Sequence, residues 1–241
     1  PLIGMFLVLR RYSLIADTLS HVSLAGIALG FLLNINPLLT ALGATILASL
    51  GIERLRDSKR VYGESALALF LSGSLALAVV LLSLSNGFNA SLFNYLFGSI
   101  VTVTTNDVLI IGTVSTLVII ALFAFFKPLL FVTFDEEAAR VSGMPTRGLN
   151  LMLILLTALT VSVSIPIVGI LLIAALMVIP VVAALQWKQS FTKTIIIAEG
   201  ISIVSVLSGI VASFYLNLAT GGTIVLIMLA AFTVSLLAKR R

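Results

Sequence analysis

Residues 14–30, LIADTLSHVSLAGIALG, place an aspartate and the only histidine of the chain inside an otherwise apolar run. Asp17 and His21 are four residues apart, and positions i and i+4 lie on the same face of a helix. An aspartate at the centre of a membrane-spanning helix costs about 3 kcal/mol on insertion scales, so such residues point first to function. The spacing predicts that Asp17 and His21 offer half of a metal site. The alternative is a buried polar pair that hydrogen-bonds neighbouring helices.

The composition is that of a membrane protein. Hydrophobic residues make up 60% of the chain and charged residues 10%, and the mean hydropathy is +1.25. The net charge of +5 comes from short basic clusters between apolar runs, without interleaved aromatics, so we expect no nucleic-acid partner. The chain has no cysteine. A metal would therefore be bound by histidine, carboxylates, carbonyl oxygens or water.

Eight apolar runs are long enough, or nearly so, to cross a bilayer as helices, which takes about 20 residues. They cover residues 12–33, 38–52, 62–84, 108–126, 149–163, 166–187, 194–216 and 223–238. An apolar stub over residues 2–9 precedes them, and we expect it to be the end of a truncated first helix. The sequence predicts an all-α integral membrane protein. Its fold would be a polytopic helical bundle with about eight full spans plus the N-terminal stub, in a single transmembrane domain over residues 1–241.

The basic residues indicate the orientation of these spans. All fourteen lysines and arginines lie at one set of span ends, and none lies in the alternate connections, residues 34–37, 85–107, 164–166 and 217–222. By the positive-inside rule the basic side is cytoplasmic. Within the outer connection, residues 92–100 are apolar but too short to span, so we expect them to be interfacial or re-entrant.

The long connection on the basic side, residues 128–148, carries helix signals in a compact order. Thr133 and Glu136 fit a capping box, acidic residues follow the cap, and Gly143 marks a stop. These signals predict a short helix over residues 134–142. It is either a solvated surface helix or a docking element with an apolar face made of Ala138, Ala139 and Val141.

Two further acidic residues are candidates for a role inside the membrane. Glu199 lies about as far beyond Lys193 as Asp17 lies beyond Arg11, so we expect a similar depth and regard it as a weaker candidate ligand. Asp107 stands at an outer helix start, where a cap is expected rather than a ligand. In the run that carries Asp17, glycines at positions 26 and 30 predict a close contact with another helix.

Several stretches resemble the membrane permease of the zinc and manganese ABC uptake systems, and the resemblance covers nearly the whole chain. They are FLVLRRYSLIADTLSHVSLAGIALGFLL (6–33), YLFGSI (95–100), FDEEAARVSGMP (134–145), VGILLIAALMVIPVVAAL (168–185) and SFYLNLATGGTIVL (213–226). Two features depart from the family pattern. The chain lacks the family's cytoplasmic N-terminus and complete first helix, and residues 220–222, Thr-Gly-Gly, replace a turn that often contains proline.

The resemblance implies a type II ABC importer permease in a bacterial cell membrane. Its expected partners are a second permease, identical or similar, a cytoplasmic ATP-binding subunit and an extracellular lipoprotein or periplasmic metal-binding protein. Zinc or manganese would be the transported substrate, with no permanently bound cofactor. The family's metal-coordinating residues match Asp17 and His21. Its cytoplasmic coupling helix matches a region with the candidates Phe134, Asp135, Glu136, Ala138, Ala139, Arg140 and Gly143.

The residues themselves agree with this expectation. No G-x-x-x-x-G-K-[ST] motif occurs, so we expect no ATPase site of its own and an energy-supplying partner. A two-fold axis would supply two copies of Asp17 and His21, enough for four-coordinate zinc or, with water, manganese. The alternative is a secondary transporter or channel for divalent cations without an ATPase. An intramembrane enzyme using the pair as acid and base is disfavoured because no nucleophile motif accompanies it.

Overall fold

The computed structural model describes residues 1–58, 62–84, 95–98 and 103–238, and these residues are helical between short turns. The chain forms two compact units, Leu14–Ile170 and Pro1–Ser13 with Leu171–Arg241. The helices of the described residues are α1 (Leu2–Leu9), α2 (Leu14–Leu33), α3 (Pro37–Asp57), α4 (Gly63–Leu84), α5 (Thr105–Ala124), α6 (Phe126–Phe134), α7 (Glu136–Val141), α8 (Thr146–Val168), α9 (Ile170–Leu185), α10 (Phe191–Leu216) and α11 (Thr220–Ala238).

Seven of these helices are long and apolar enough to cross a membrane, and α9 is a shorter apolar helix of 16 residues. Together they coincide with the eight runs expected from the sequence, so the all-α, multi-pass architecture is confirmed. The two shortest runs, residues 38–52 and 149–163, form longer helices in the structure, because α3 is extended by polar residues at its basic end and α8 is extended at both ends. Helix α3 has 21 residues and α8 has 23.

Helix α2 is the central helix of the unit Leu14–Ile170. In its most apolar window 72% of the residues are buried, against 11% in α5. A Cβ atom added at Gly26 would lie 2.7 Å from Ala41 Cα, and one added at Gly30 would lie 2.8 Å from Pro37 Cα. These two glycines therefore allow the backbones of α2 and α3 to approach closely, as their spacing predicted.

Helices α3 and α8 are joined by a buried pair of hydroxyls. Thr45 Oγ1 and Ser162 Oγ are 2.8 Å apart, and Thr45 also donates to the carbonyl oxygen of Ala41 at 2.9 Å. Both side chains are fully buried. Since hydroxyls can bond their own helix and a neighbour at once, this pair aligns the two helices without leaving a polar group unsatisfied.

The outer ends of α3 and α5 are held together by capping residues. Asn36 Oδ1 accepts from the backbone N–H of Leu38 at 2.8 Å, and Asn36 Nδ2 donates to Asp107 Oδ1 at 3.2 Å. Asp107 completes a capping box with Thr104, which confirms its expected role as a cap. Nearby, burial, together with the Asp107 carboxylate, raises the pKa of Tyr95.

The break between α8 and α9 lies at Gly169 rather than at residues 164–166. Helix α8 continues through Pro166 and ends at Gly169, whose φ is +83° and ψ 154°. A proline removes only one helical hydrogen bond and is tolerated in membrane helices, whereas this backbone conformation is essentially restricted to glycine. The piece expected to be interfacial or re-entrant, residues 92–100, lies outside the described residues except for residues 95–98.

The unit formed by Pro1–Ser13 and Leu171–Arg241 has its own apolar core, which includes Met5, Val181, Ala184 and Ala198. The rings of Phe6 and Phe191 pack with their centroids 5.5 Å apart. A Cβ atom added at Gly209 would lie 2.9 Å from Ile224 Cα. This glycine therefore allows α10 and α11 to approach closely.

Candidate metal site and coupling helix

Asp17 and His21 lie on one face of α2, as their spacing predicted. The distance from His21 Nε2 to Asp17 Oδ1 is 3.7 Å, and the two side chains are 23% and 43% exposed. This separation is too long for a hydrogen bond. The carboxylate and the imidazole are therefore close enough to share a small ligand and are not held by each other.

The imidazole of His21 has a second nitrogen that lacks a partner. Nδ1 is buried and makes no hydrogen bond within the described part of the chain. Leaving such an atom unsatisfied costs about 1–3 kcal/mol, and histidines that bind metal commonly use both ring nitrogens, one for the metal and one for a hydrogen bond. A metal held between Nε2 and Asp17 would still leave Nδ1 in need of a hydrogen-bond acceptor.

Three small hydroxyl side chains lie close to the pair in the sequence of α2. Ser20 Oγ donates to the backbone carbonyl oxygen of Asp17 at 2.7 Å. Thr18 Oγ1 donates to the carbonyl oxygen of Leu14 at 2.9 Å and lies 3.4 Å from the carbonyl oxygen of Leu67 on α4. Ser23 Oγ is buried without a hydrogen-bond partner among the described residues. The part of α2 that carries Asp17 and His21 therefore also carries buried hydroxyl groups.

The described residues contain no group of three or more His, Cys, Asp or Glu side chains that could hold a metal ion. Asp17 and His21 would therefore supply only two ligands from this chain, and their role as metal ligands stays a prediction. Glu199, the weaker candidate, lies on α10 in the other compact unit. Its participation stays a prediction.

The short helix on the basic side is present but smaller than expected. Helix α7 has six residues, and its N-cap is Asp135, whose side chain accepts from the N–H of Ala138 at 2.8 Å. Thr133 was expected to cap α7 together with Glu136. It instead lies in the last turn of α6, where its hydroxyl donates to the carbonyl oxygen of Leu129 at 2.7 Å. The predicted capping box is wrong because α6 extends to Phe134. The predicted stop at Gly143, with φ +79°, is confirmed.

Helix α7 is attached to α8 by a hydrogen bond between side chains. Asn150 Nδ2 donates to Glu136 Oε1 at 2.8 Å, and Asn150 is 5% exposed. Its other polar atom, Oδ1, is buried without a hydrogen-bond partner in the described structure. Asn150 was not among the predicted functional residues, because an isolated asparagine near a helix start carries no specific signal.

The apolar side chains of the α7 region divide into a buried and an exposed set. Ala139 is fully buried, whereas Phe134 is 65% and Val141 87% exposed. The expected docking face of Ala138, Ala139 and Val141 is therefore corrected. Ala139 faces the interior because α7 folds back on its own chain, and the exposed apolar residues that flank the helix are Phe134 and Val141. Arg140 is exposed beside them.

An ion pair at the same end joins α3 and α8. Arg147 Nη2 lies 2.5 Å from Asp57 Oδ2, and Arg56 pairs with Glu53 at 2.8 Å within α3. The first pair links the last turn of α3 to the first turn of α8. Because both Arg147 and Asp57 are well exposed, its contribution to stability is small, about 1 kcal/mol or less.

The chain is similar to several bacterial metal-transport proteins over nearly its whole length. It is 38% identical to a "Probable metal transport system membrane protein" of Treponema pallidum, covering 97% of this chain and 90% of that one. It is 30% identical to the "High-affinity zinc uptake system membrane protein ZnuB" of Haemophilus influenzae, covering 99% and 92%. It is also 30% identical to the "Manganese transport system membrane protein MntC" of Listeria innocua, covering 98% and 84%.

The fold is similar to a solved structure, "PsaBC from Streptococcus pneumoniae in complex with Fab". The TM-score is 0.83 at 29% sequence identity, and the match covers 97% of this chain and 84% of that one. The model of a family described as "ABC 3 transport family" matches residues 1–239. The chain therefore belongs to the ABC 3 transport family of membrane permeases.

Proposed function

We propose that the chain is the membrane-spanning permease subunit of an ATP-driven importer for a divalent metal, zinc or manganese. The observation that carries the proposal is the Asp17–His21 pair, which lies partly exposed on one face of the central helix α2 with 3.7 Å between Nε2 and Oδ1. A buried polar pair of purely structural role would be hydrogen-bonded to neighbouring helices. The names of similar proteins include both zinc and manganese, so the metal stays open between them.

A second permease would complete the site. One chain provides a single carboxylate and a single imidazole, whereas two chains related by a two-fold axis provide two of each. Four such ligands suit tetrahedral zinc, and bidentate carboxylates with water would suit manganese. We therefore propose a homodimer, or a pair of similar permeases, with Asp17 and His21 at the shared axis. The metal is cargo, so both ligands must release it.

Energy would come from a cytoplasmic ATP-binding subunit that binds at α7. This helix lies in the long basic connection, is anchored to α8 through Asn150, and is flanked by the exposed apolar residues Phe134 and Val141. On the opposite side of the membrane, a lipoprotein or periplasmic protein would deliver the metal. The alternative is a secondary transporter or channel, in which uptake would need no ATPase.

The test is metal uptake into proteoliposomes that contain the permease and its ATP-binding subunit. We expect uptake of zinc or manganese to require ATP and to fall at least about tenfold, or 1.4 kcal/mol, in Asp17→Asn and His21→Gln. Glu64→Gln, which removes a carboxylate from the first turn of α4, is the matched control. Uptake that persists without ATP would favour the channel. Normal uptake in both site variants would return the pair to a structural role.

A further inference from the structure

A pocket of about 480 Å³ opens between the basic ends of α3 and α8. It is lined by Leu50, Glu53 and Arg54 from α3 and by Arg147 and Leu151 from α8. Its volume is within the range of about 300–1,000 Å³ that small-molecule sites occupy. The pocket is distinct from the Asp17–His21 pair and from the exposed residues of α7.

The charges around this pocket do not cancel. Glu53 pairs with Arg56, and Asp57 pairs with Arg147. Arg54 makes no ion pair within the described part of the chain. Among the described residues around the pocket, three guanidinium groups against two carboxylates leave one positive charge. Arg147 also keeps unused donors, because a guanidinium has five and its one carboxylate partner cannot occupy them all.

The lining changes from basic to apolar with depth along both helices. On α8, Leu151 follows Arg147 by four residues, which corresponds to about 6 Å of helix rise. On α3, Leu50 precedes Arg54 by the same number of residues and is 43% exposed. Guanidinium groups therefore lie toward the end of the bundle, and leucines lie one turn closer to the membrane centre. The same order of charge and hydrocarbon occurs in a phospholipid.

We propose that this pocket binds an anionic phospholipid of the cytoplasmic leaflet. Arg54 and Arg147 would bind the phosphodiester, whose single negative charge balances the excess positive charge, and Leu50 and Leu151 would contact the first methylenes of the acyl chains. Basic pockets between membrane helices on the cytoplasmic side are typical sites for such headgroups. Planar guanidinium groups can also bind phosphate through two parallel hydrogen bonds.

The experiment is native mass spectrometry of the purified full chain after titration with phosphatidylglycerol or phosphatidylcholine of identical acyl chains. We expect preferential retention of phosphatidylglycerol, reduced at least threefold in Arg54→Gln and in Arg147→Gln. Lys193→Gln, which removes an exposed positive charge from α10, should leave retention unchanged. Leu151→Trp should also reduce retention, since it fills the pocket without altering charge. Arg54→Lys keeps the charge but not the two parallel hydrogen bonds, so its retention should lie between those of the wild type and Arg54→Gln.

Three results would overturn the proposal. The first is that the wild type retains both lipids equally, or that both arginine variants retain phosphatidylglycerol as well as the wild type does. The second is complete displacement of the lipid by millimolar inorganic phosphate, which would identify a site for free anions. The third is loss of the lipid when the ATP-binding subunit is added, which would make the pocket part of a protein interface. Thermal unfolding in neutral detergent checks that each variant is folded.

Discussion

Asn150 Nδ2 lies 2.8 Å from Glu136 Oε1, so one hydrogen bond joins the short helix α7 to the second turn of the membrane helix α8. Hydrogen bonds to charged groups contribute about 1.5–3 kcal/mol. Because α7 has only six residues, it cannot be stable as an isolated helix. Its position relative to the membrane helices must therefore depend on a few contacts of this kind.

The first prediction concerns this hydrogen bond. We expect Asn150→Ala to lower metal-stimulated ATP hydrolysis by the assembled transporter about fivefold or more, because α7 loses an anchor worth about 1.5–3 kcal/mol. Metal binding at Asp17 and His21 should be unchanged. Glu136→Gln retains an oxygen that can accept the hydrogen bond and should have a smaller effect. Wild-type ATPase stimulation in Asn150→Ala would show that the bond has no part in coupling.

The second prediction separates the two apolar surfaces of the α7 region. Val141→Asp should weaken binding of the ATP-binding subunit without lowering the unfolding temperature, because Val141 is 87% exposed. Ala139→Trp should instead destabilise the protein, since overpacking a buried site costs about 1–3 kcal/mol. Co-purification and thermal unfolding measure the two effects. Normal binding of the ATP-binding subunit by the Val141→Asp variant would show that Val141 does not belong to the docking surface.

The third prediction concerns the cargo ligands. Asp17→Ala and His21→Ala should each abolish uptake while membrane abundance stays close to that of the wild type, because removing a polar group from an apolar helix eases insertion. Isothermal titration of the purified protein with zinc and with manganese measures the site directly. Zinc should bind more tightly at a mixed nitrogen and oxygen site. Tight metal binding by both variants would place the site elsewhere.

The sequence predicted the features that depend on local periodicity. Hydropathy located the eight apolar helices, and the i, i+4 spacing placed Asp17 and His21 on one face of α2. Contacts between distant residues were not predictable in the same way. The bond between Thr45 and Ser162 joins residues 117 positions apart. Any of the many serines and threonines in the spans could have formed such a pair.

Residues near α7 show why the orientation of some side chains could not be predicted from the sequence. Six residues are fewer than two helical turns, so periodicity could not decide whether Ala139 or Val141 faced inward. Only the burial of Ala139 in the folded chain separates them. Between α8 and α9, the proline signal at Pro166 obscured the glycine at position 169, because its positive φ becomes visible only in the structure.

The fourth prediction concerns two glycines at the outer end of the unit Leu14–Ile170. Gly98 and Gly169 both have positive φ, +79° and +83°, and their backbones are in close contact. A Cβ atom added at Gly169 would lie 2.5 Å from Gly98 N and 2.7 Å from Leu96 O. Both positions therefore combine a conformation that disfavours side chains with a lack of space for one.

Gly169→Ala should lower the free energy of unfolding by about 1–3 kcal/mol from backbone strain, with a further cost from displacing residues 96–98. Gly112→Ala is the matched control, because Gly112 lies within helix α5 and a Cβ atom there would meet nothing within 4 Å. That substitution should be neutral or slightly stabilising, since alanine favours helix by about 1 kcal/mol over glycine. Thermal unfolding in detergent measures both. Equal unfolding temperatures for the two variants would show that the chain can relax at the α8–α9 break, and that the contact between Gly98 and Gly169 is not required for the fold.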